Sequence, residues 1–347
     1  MSERRPAVAL QPVIDPAGWR AADIGAATIF TLDEHHLAEL DAALVRLAKT
    51  GIPIVQMRRT DFRFGRLATL LSEVRHQLMD GVGFAQVRNF PVGRYSRWEM
   101  AAAYWGLGAY LGKAVMQNAA GHMIGHEKDL GFDTRDPNNR NYHTNQDTDF
   151  HAERCDLVSL LCLQPAMSGG ELRIVSSITV YNEMLKRRPD LVAEMIKPLY
   201  RDRRGEVPAG KQPWYTLPMF CFQNGYLSVR GGGNFVKSAQ RFPEVPRLTA
   251  AQLEALDLKQ QVARENQIAV RLEPGEILFA HSHVILHART RYEDWPEAER
   301  KRHMLRLWLN TDLGFGDSAR PLSPEFAEAV QGVVLSTAQP VVPLEAE

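Results

Sequence analysis

The chain lacks most of the features that would assign it to a class at once. Its 347 residues include only three cysteines, Cys155, Cys162 and Cys221. They form no CxxC pair and no even set, which excludes a disulfide framework and an all-sulfur metal site. Net charge is also missing: Lys+Arg and Asp+Glu both number 41. No basic excess draws the chain towards nucleic acid or an anionic membrane surface. No run approaches the ~18 apolar residues of a membrane span. The opening MSERRPAVALQPVIDPAGW carries no apolar core of a signal peptide. These absences predict a cytoplasmic protein with reduced thiols and small-molecule partners, with homo-oligomerisation left open.

What is present is an ordinary globular composition, 45% hydrophobic and 24% charged, in a chain long enough for a sizeable core. Thr31-Leu32-Asp33-Glu34 reads as a capping box before leucines at helical spacing (Leu37, Leu40, Leu44, Leu47). Ile52 to Met57 reads as a short strand, about Arg66 to Met79 as a helix and Phe84 to Phe90 as a strand. Ser96-Arg97-Trp98-Glu99 is a second capping box. From Gln117 to Asn141 the chain is rich in Gly, Asn, Asp and His, a composition of ordered turns. Ser176 should cap another helix, Asn224-Gly225 should turn a hairpin, and Thr249 should cap a helix to about Glu265. Strands follow from Ile268. Gly231-Gly232-Gly233 marks flexible or closely approached backbone, without the strand–GxxxxGK–helix context of a phosphate loop.

Helices at the front, strands at the back and no repeat or linker predict an α+β, sandwich-centred chain rather than a βαβ-wound sheet. The expected organisation is one domain over 1–347. It has a helical layer at 1–83, a core at 84–312 with an insertion at about 176–266, and a tail at 335–347.

Seven of the eleven histidines fall at 122, 126, 143, 151, 281, 283 and 287, in two distant windows. In the first, His151-Ala152-Glu153 precedes the apolar run Leu157 to Leu163. Residues i and i+2 of a strand share a face, so an imidazole nitrogen and a carboxylate oxygen could reach one ion at ~2.0–2.2 Å. In the second, PGEILFAHSHVILHART read as one strand puts His281, His283 and His287 on one face. Beyond it, Arg302 and Arg306 share a parity among apolar neighbours. Such arginines are costly without an anion, and a guanidinium suits a carboxylate. Two histidines and a carboxylate with open positions make the facial triad of non-haem iron oxygenases.

The FHAE segment, LLCLQPAMSGGE, PGEILFAHSHVILHART and RHMLRLWL together resemble the taurine dioxygenase/TfdA-like family of Fe(II)- and 2-oxoglutarate-dependent oxygenases, near its clavaminate-synthase-like members. The resemblance runs from about Phe84 to Leu309. It implies a double-stranded β-helix (jelly-roll) core with flanking helices and helical insertions. It also implies Fe(II) on His151, Glu153 and His287, and 2-oxoglutarate on Arg302 with Arg306 beside it. The implied reaction is hydroxylation of a small polar substrate by O2, with release of succinate and CO2.

Three positions depart from the family's pattern. Glu153 stands where Asp is usual, Leu172 where Ser or Thr often touches 2-oxoglutarate, and His281 where Asn or Asp is expected. Asn118, His281 and His283 are the expected substrate-pocket residues. Leu172 keeps open a 2-oxoglutarate-independent metalloenzyme on the same scaffold, and a non-catalytic small-molecule-binding jelly-roll is the remaining alternative.

Overall fold

The computed structural model describes residues 3–132, 141–311 and 320–346. Positions 133–140 of the polar loop and the expected core limit at 312 lie outside the described residues. The fold is built around the strand Leu157–Gln164, which is almost wholly buried. It pairs antiparallel with Ile277–His281 on one edge and His303–Asn310 on the other. The larger sheet continues through Phe84–Arg88 to Ile29–Thr31, and on the far side to Ile124–Glu127 and Lys113–Ala114. A smaller sheet, Ile268–Val270, Leu172–Ser176 and Ile285–Arg289, faces it. The result is an α+β, double-stranded β-helix.

The near-continuous apolar runs follow from burial on both faces of the larger sheet. Leu157, Leu161, Ile277, Phe279, Leu305 and Leu307 pack on one side against the helices Glu34–Ala48, Arg66–Met79 and Arg97–Ala109. The alternate residues Val158, Leu160, Leu278, Met304 and Trp308 pack on the other, with Leu172, Ile174 and Leu286 of the smaller sheet. Cys155 and Cys162 are small, fully buried members of that second core.

Ser96, Ser176 and Thr249 cap their helices as expected. Asn224 and Gly225, at φ 47° and 77°, turn the hairpin of Phe220–Gln223 and Tyr226–Val229. Four expectations of local structure fail, the first in the polar stretch from Gln117, where Ile124–Glu127 is a buried strand paired with His303–Asn310 instead of turns. Thr31 is committed to a strand parallel to Phe84–Arg88, so Asp33 caps the first helix by accepting from His36 N at 3.0 Å. Ile52 to Met57 holds no strand; after Pro53, which has no N–H to give a ladder, Ile54–Gln56 forms a single 3₁₀ turn. Lastly, Glu276 to His287 is not one strand. A turn at Ser282, His283 and Val284 carries the chain from the larger sheet to the smaller.

Candidate active site

The two sheets meet where His151 and His287 form an antiparallel bridge. His151 N donates to His287 O, and His287 N to His151 O, both at 2.9 Å. The bridge brings the two imidazoles together at a tilt of 48°, ring centres 4.3 Å apart, and Glu153, two residues on, reaches the same point. Glu153 Oε1 lies 3.8 Å from His151 Nε2 and 3.6 Å from His287 Nε2. Among the described residues these three form a group whose candidate ligand atoms all lie within 4.8 Å of one another.

Each member is held in the state a metal needs. His151 Nδ1 donates to Asp149 O at 2.7 Å, which leaves the Nε2 lone pair facing the group. Burial and the neighbouring His151 push His287 below its ordinary range, favouring the neutral ring. Burial alone would raise Glu153, but the Arg306 guanidinium and the hydrogen bonds of both histidines hold it well below the usual carboxylate range. The donor set is therefore two imidazole nitrogens and one anionic oxygen, which fits a divalent iron. Asp147 and Asp149 flank the group without joining it.

Arg306 projects between Met304 and Trp308. Its Nη1 lies 3.2 Å from both Glu153 Oε1 and Glu127 Oε1, and its Nε donates to Gln117 Oε1 at 2.8 Å. Arg302 differs sharply. It is fully buried, and none of its three guanidinium nitrogens has a hydrogen-bond partner among the described residues. Glu127 Oε2 stands 4.0 Å off and the Tyr292 ring centre 5.2 Å off. Gly170, at φ 72°, gives it room: a Cβ there would sit 3.3 Å from Arg302 Cδ and Nε. A buried guanidinium without partners is costly, and its chemistry calls for a bound carboxylate. Leu172 lines both this recess and the cavity beside the triad, and its side chain brings no hydrogen bond.

The cavity beside the triad, about 120 Å³, is of a size for a small molecule. His281 and His283 do not line it. The turn at 282–284 takes them off the face of His287, and both are buried elsewhere: His283 Nε2 bonds Asp156 Oδ1 at 2.8 Å, and His281 Nδ1 accepts from His283 N at 3.3 Å. Asn118 is absent from the cavity too, because its Oδ1 caps a turn by accepting from His122 N at 3.1 Å. The pocket expectation for these three residues is therefore corrected.

In their place the cavity presents Glu127, Arg289, Arg204, Arg230 and Asn234. Arg289 was legible, two residues beyond His287 on the same strand. The others come from loops and short elements without periodicity. Gly231 shows why the glycine run exists: a Cβ there would fall 2.8 Å from Ala152 N and 3.0 Å from His151 C.

Comparison with known proteins gives the chain a family and a fold. The family described as taurine catabolism dioxygenase TauD, TfdA matches residues 50–308. FR-33289 synthase of Streptomyces rubellomurinus is 31% identical over 317 residues, 88% of this chain and 92% of that protein. Taurine hydroxylase-like protein SAT17 of Stachybotrys chartarum is 27% identical over 293 residues, 80% of this chain and 74% of that protein. Among solved structures, asparagine oxygenase in complex with Fe(II), 2S,3S-3-hydroxyasparagine and succinate has a TM-score of 0.63 at 17% identity, covering 82% of this chain and 94% of its own. OrfP in complex with Fe and alpha-ketoglutaric acid has 0.59 at 15%, covering 88% and 100%. These two likenesses establish the shared fold. With the family match over three quarters of its length, the chain belongs to the TauD, TfdA family and is a non-haem Fe(II)- and 2-oxoglutarate-dependent oxygenase.

Proposed function

We propose that His151, Glu153 and His287 hold the iron, that Arg302 takes the distal carboxylate of 2-oxoglutarate, and that the enzyme hydroxylates a small polar metabolite or amino-acid-like substrate with release of succinate and CO2. The clustering of the two imidazoles and Glu153 within 4.8 Å carries this reading. Bound there, the iron supplies the activation of O2 and the oxidation of a C–H bond, with 2-oxoglutarate as the co-substrate that is decarboxylated.

The chain's own residues do the positioning. The His151–His287 bridge sets the ring orientations, and Arg306 keeps Glu153 ionised and turned towards them. Arg302 offers a dry, bidentate seat for one carboxylate. Leu172 adds apolar contact where a hydroxyl would donate, which costs on the order of 1 kcal/mol, less than a buried guanidinium–carboxylate pair returns. The unpaired cysteines and the balanced charge support a cytoplasmic enzyme, a single oxygenase domain, without nucleic acid as partner.

The test is a succinate-release screen with Fe(II), 2-oxoglutarate and a metabolite library. Amino acids belong in it because asparagine oxygenase and OrfP were solved with hydroxylated asparagine and arginine. Succinate formed with one substrate and lost in His287→Ala is the expected result. Consumption of O2 without succinate would install the 2-oxoglutarate-independent reading in its place.

A further inference from the structure

We propose that the Tyr292 phenol donates a hydrogen bond to the distal carboxylate of 2-oxoglutarate beside Arg302, and so supplies the hydroxyl that Leu172 withholds. This deepens the reading of Arg302 and rests on it.

Buried polar atoms without partners cluster at this point. Tyr292 is 1% exposed, and its hydroxyl has no hydrogen-bond partner among the described residues. Buried hydroxyls are ordinarily paired, and an unpaired one is costly. All three guanidinium nitrogens of Arg302 are in the same condition, and the guanidinium carbon lies 5.2 Å from the Tyr292 ring centre. Two adjacent donors, both unanswered, call for one shared acceptor. A carboxylate can take two hydrogen bonds from a guanidinium and still accept one from a phenol.

Neighbouring groups do not answer the phenol. Asp294 Oδ1 accepts from Arg302 N at 2.7 Å, and its buried Oδ2 bonds neither Tyr292 nor any other described residue. Glu127 faces Arg302 at 4.0 Å and Arg306 at 3.2 Å. The Arg289 guanidinium, over the same ring at 4.9 Å, is itself a donor, and its Nη2 gives to Thr144 O at 2.8 Å and Gln146 O at 2.6 Å. Burial pushes Tyr292 up to about 12 against the pull of Arg289 and Arg302. The hydroxyl therefore keeps its proton and donates at any physiological pH.

The chain is shaped to bring the ring in. Tyr292–Glu293 pairs antiparallel with Ser168–Gly169, Tyr292 opposite Gly169, and Tyr292 N donates to Asn145 O at 3.1 Å. A Cβ on Gly170 would lie 3.3 Å from Tyr292 Cβ and equally close to Arg302 Cδ and Nε, so this glycine lets tyrosine and arginine pack around one point. Leu172, two residues on, lines the recess with Arg302. Across the smaller sheet it pairs with Arg289, three residues before Tyr292. The hydroxyl missing from one strand is thus present close by on the segment that follows its partner.

Tyr292→Phe removes the hydroxyl alone. Protein loaded with Mn(II) is titrated calorimetrically with 2-oxoglutarate, and with 2-oxopentanoate, which carries a methyl in place of the distal carboxylate. The variant should bind 2-oxoglutarate roughly tenfold more weakly, about 1.4 kcal/mol, as befits a lost donor to a charged group. Mn(II) and 2-oxopentanoate should bind parent and variant alike. In urea unfolding without co-substrate the variant should be at least as stable as the parent, because the free protein loses no hydrogen bond. Unchanged affinity for 2-oxoglutarate overturns the proposal. An equal loss for 2-oxopentanoate, or a marked loss of stability in the free protein, also overturns it, because Tyr292 would then be a support of the fold. Arg302→Met tells the two readings apart. If it binds 2-oxoglutarate as the parent does while Tyr292→Phe does not, the Arg302 reading fails alone; if it loses the co-substrate and Tyr292→Phe keeps it, the tyrosine proposal fails alone.

Discussion

Replacing Arg302 with methionine should separate stability from co-substrate binding. In the free protein the guanidinium is fully buried without a hydrogen bond among the described residues, and the Glu127 carboxylate at 4.0 Å is shared with Arg306. Exchanging such a charge for an apolar side chain of similar length is neutral or stabilising, by up to ~4 kcal/mol. With 2-oxoglutarate the sign reverses. Two charge-assisted hydrogen bonds at ~1.5–3 kcal/mol each amount to a hundredfold or greater loss of affinity, at tenfold per ~1.4 kcal/mol.

In thermal unfolding, Arg302→Met without co-substrate should melt at or above the parent. 2-Oxoglutarate at 100 times Kd stabilises the parent by about 2.7 kcal/mol, a rise of a few degrees for a chain of this size. It should leave the variant unmoved, and the KM for 2-oxoglutarate should climb by the same hundredfold. A variant that melts well below the parent while keeping its 2-oxoglutarate shift would refute the reasoning, because Arg302 would then be a structural cation.

Glu153→Gln keeps the shape of the triad but removes its charge, so Mn(II) affinity measured by titration should fall at least tenfold while the metal-free protein stays folded. Gly231→Ala would place a Cβ 2.7 Å from Leu286 Cδ2 and 2.8 Å from Ala152 N. It should cost ~1–3 kcal/mol in urea unfolding and weaken metal binding, since the displaced backbone carries His151. Lys259, buried and donating to Phe150 O at 2.9 Å, is pushed down by burial to about 7. The unfolded chain keeps that proton to about pH 10.4 and the folded one does not. Stability should therefore rise from pH 7 towards 10 through this group, and Lys259→Met should lack that part of the rise across a pH series of urea melts.

Much of the site could be read from the chain because its chemistry is carried by short-range rules. The i and i+2 placement of His151 and Glu153 survives any detail of packing, and the alternation of Met304, Arg306 and Trp308 against Leu305 and Leu307 sets which side Arg306 faces. The pocket residues His281 and His283 failed for an equally local reason. FAHSHVILHA contains no Gly or Pro to announce the turn at Ser282, His283 and Val284, so period two ran through a corner. Arg204 and Arg230 were illegible because they come from a loop and a strand end, brought together only by packing. Thr31 misled because a parallel partner more than fifty residues away claimed its backbone.

The strand Leu157–Gln164 has one further consequence, for biosynthesis. Both of its edges are closed by segments made later, Ile277–His281 and His303–Asn310. A ribosome adding ~5–20 residues per second leaves LVSLLCLQ with two open edges for several seconds after it emerges. Such an apolar strand is a ready template for pairing with another chain. Nascent chains stopped before Asn310 should therefore aggregate or stay bound to chaperones, and solubility in a series of C-terminal truncations should change abruptly there, not gradually along the chain.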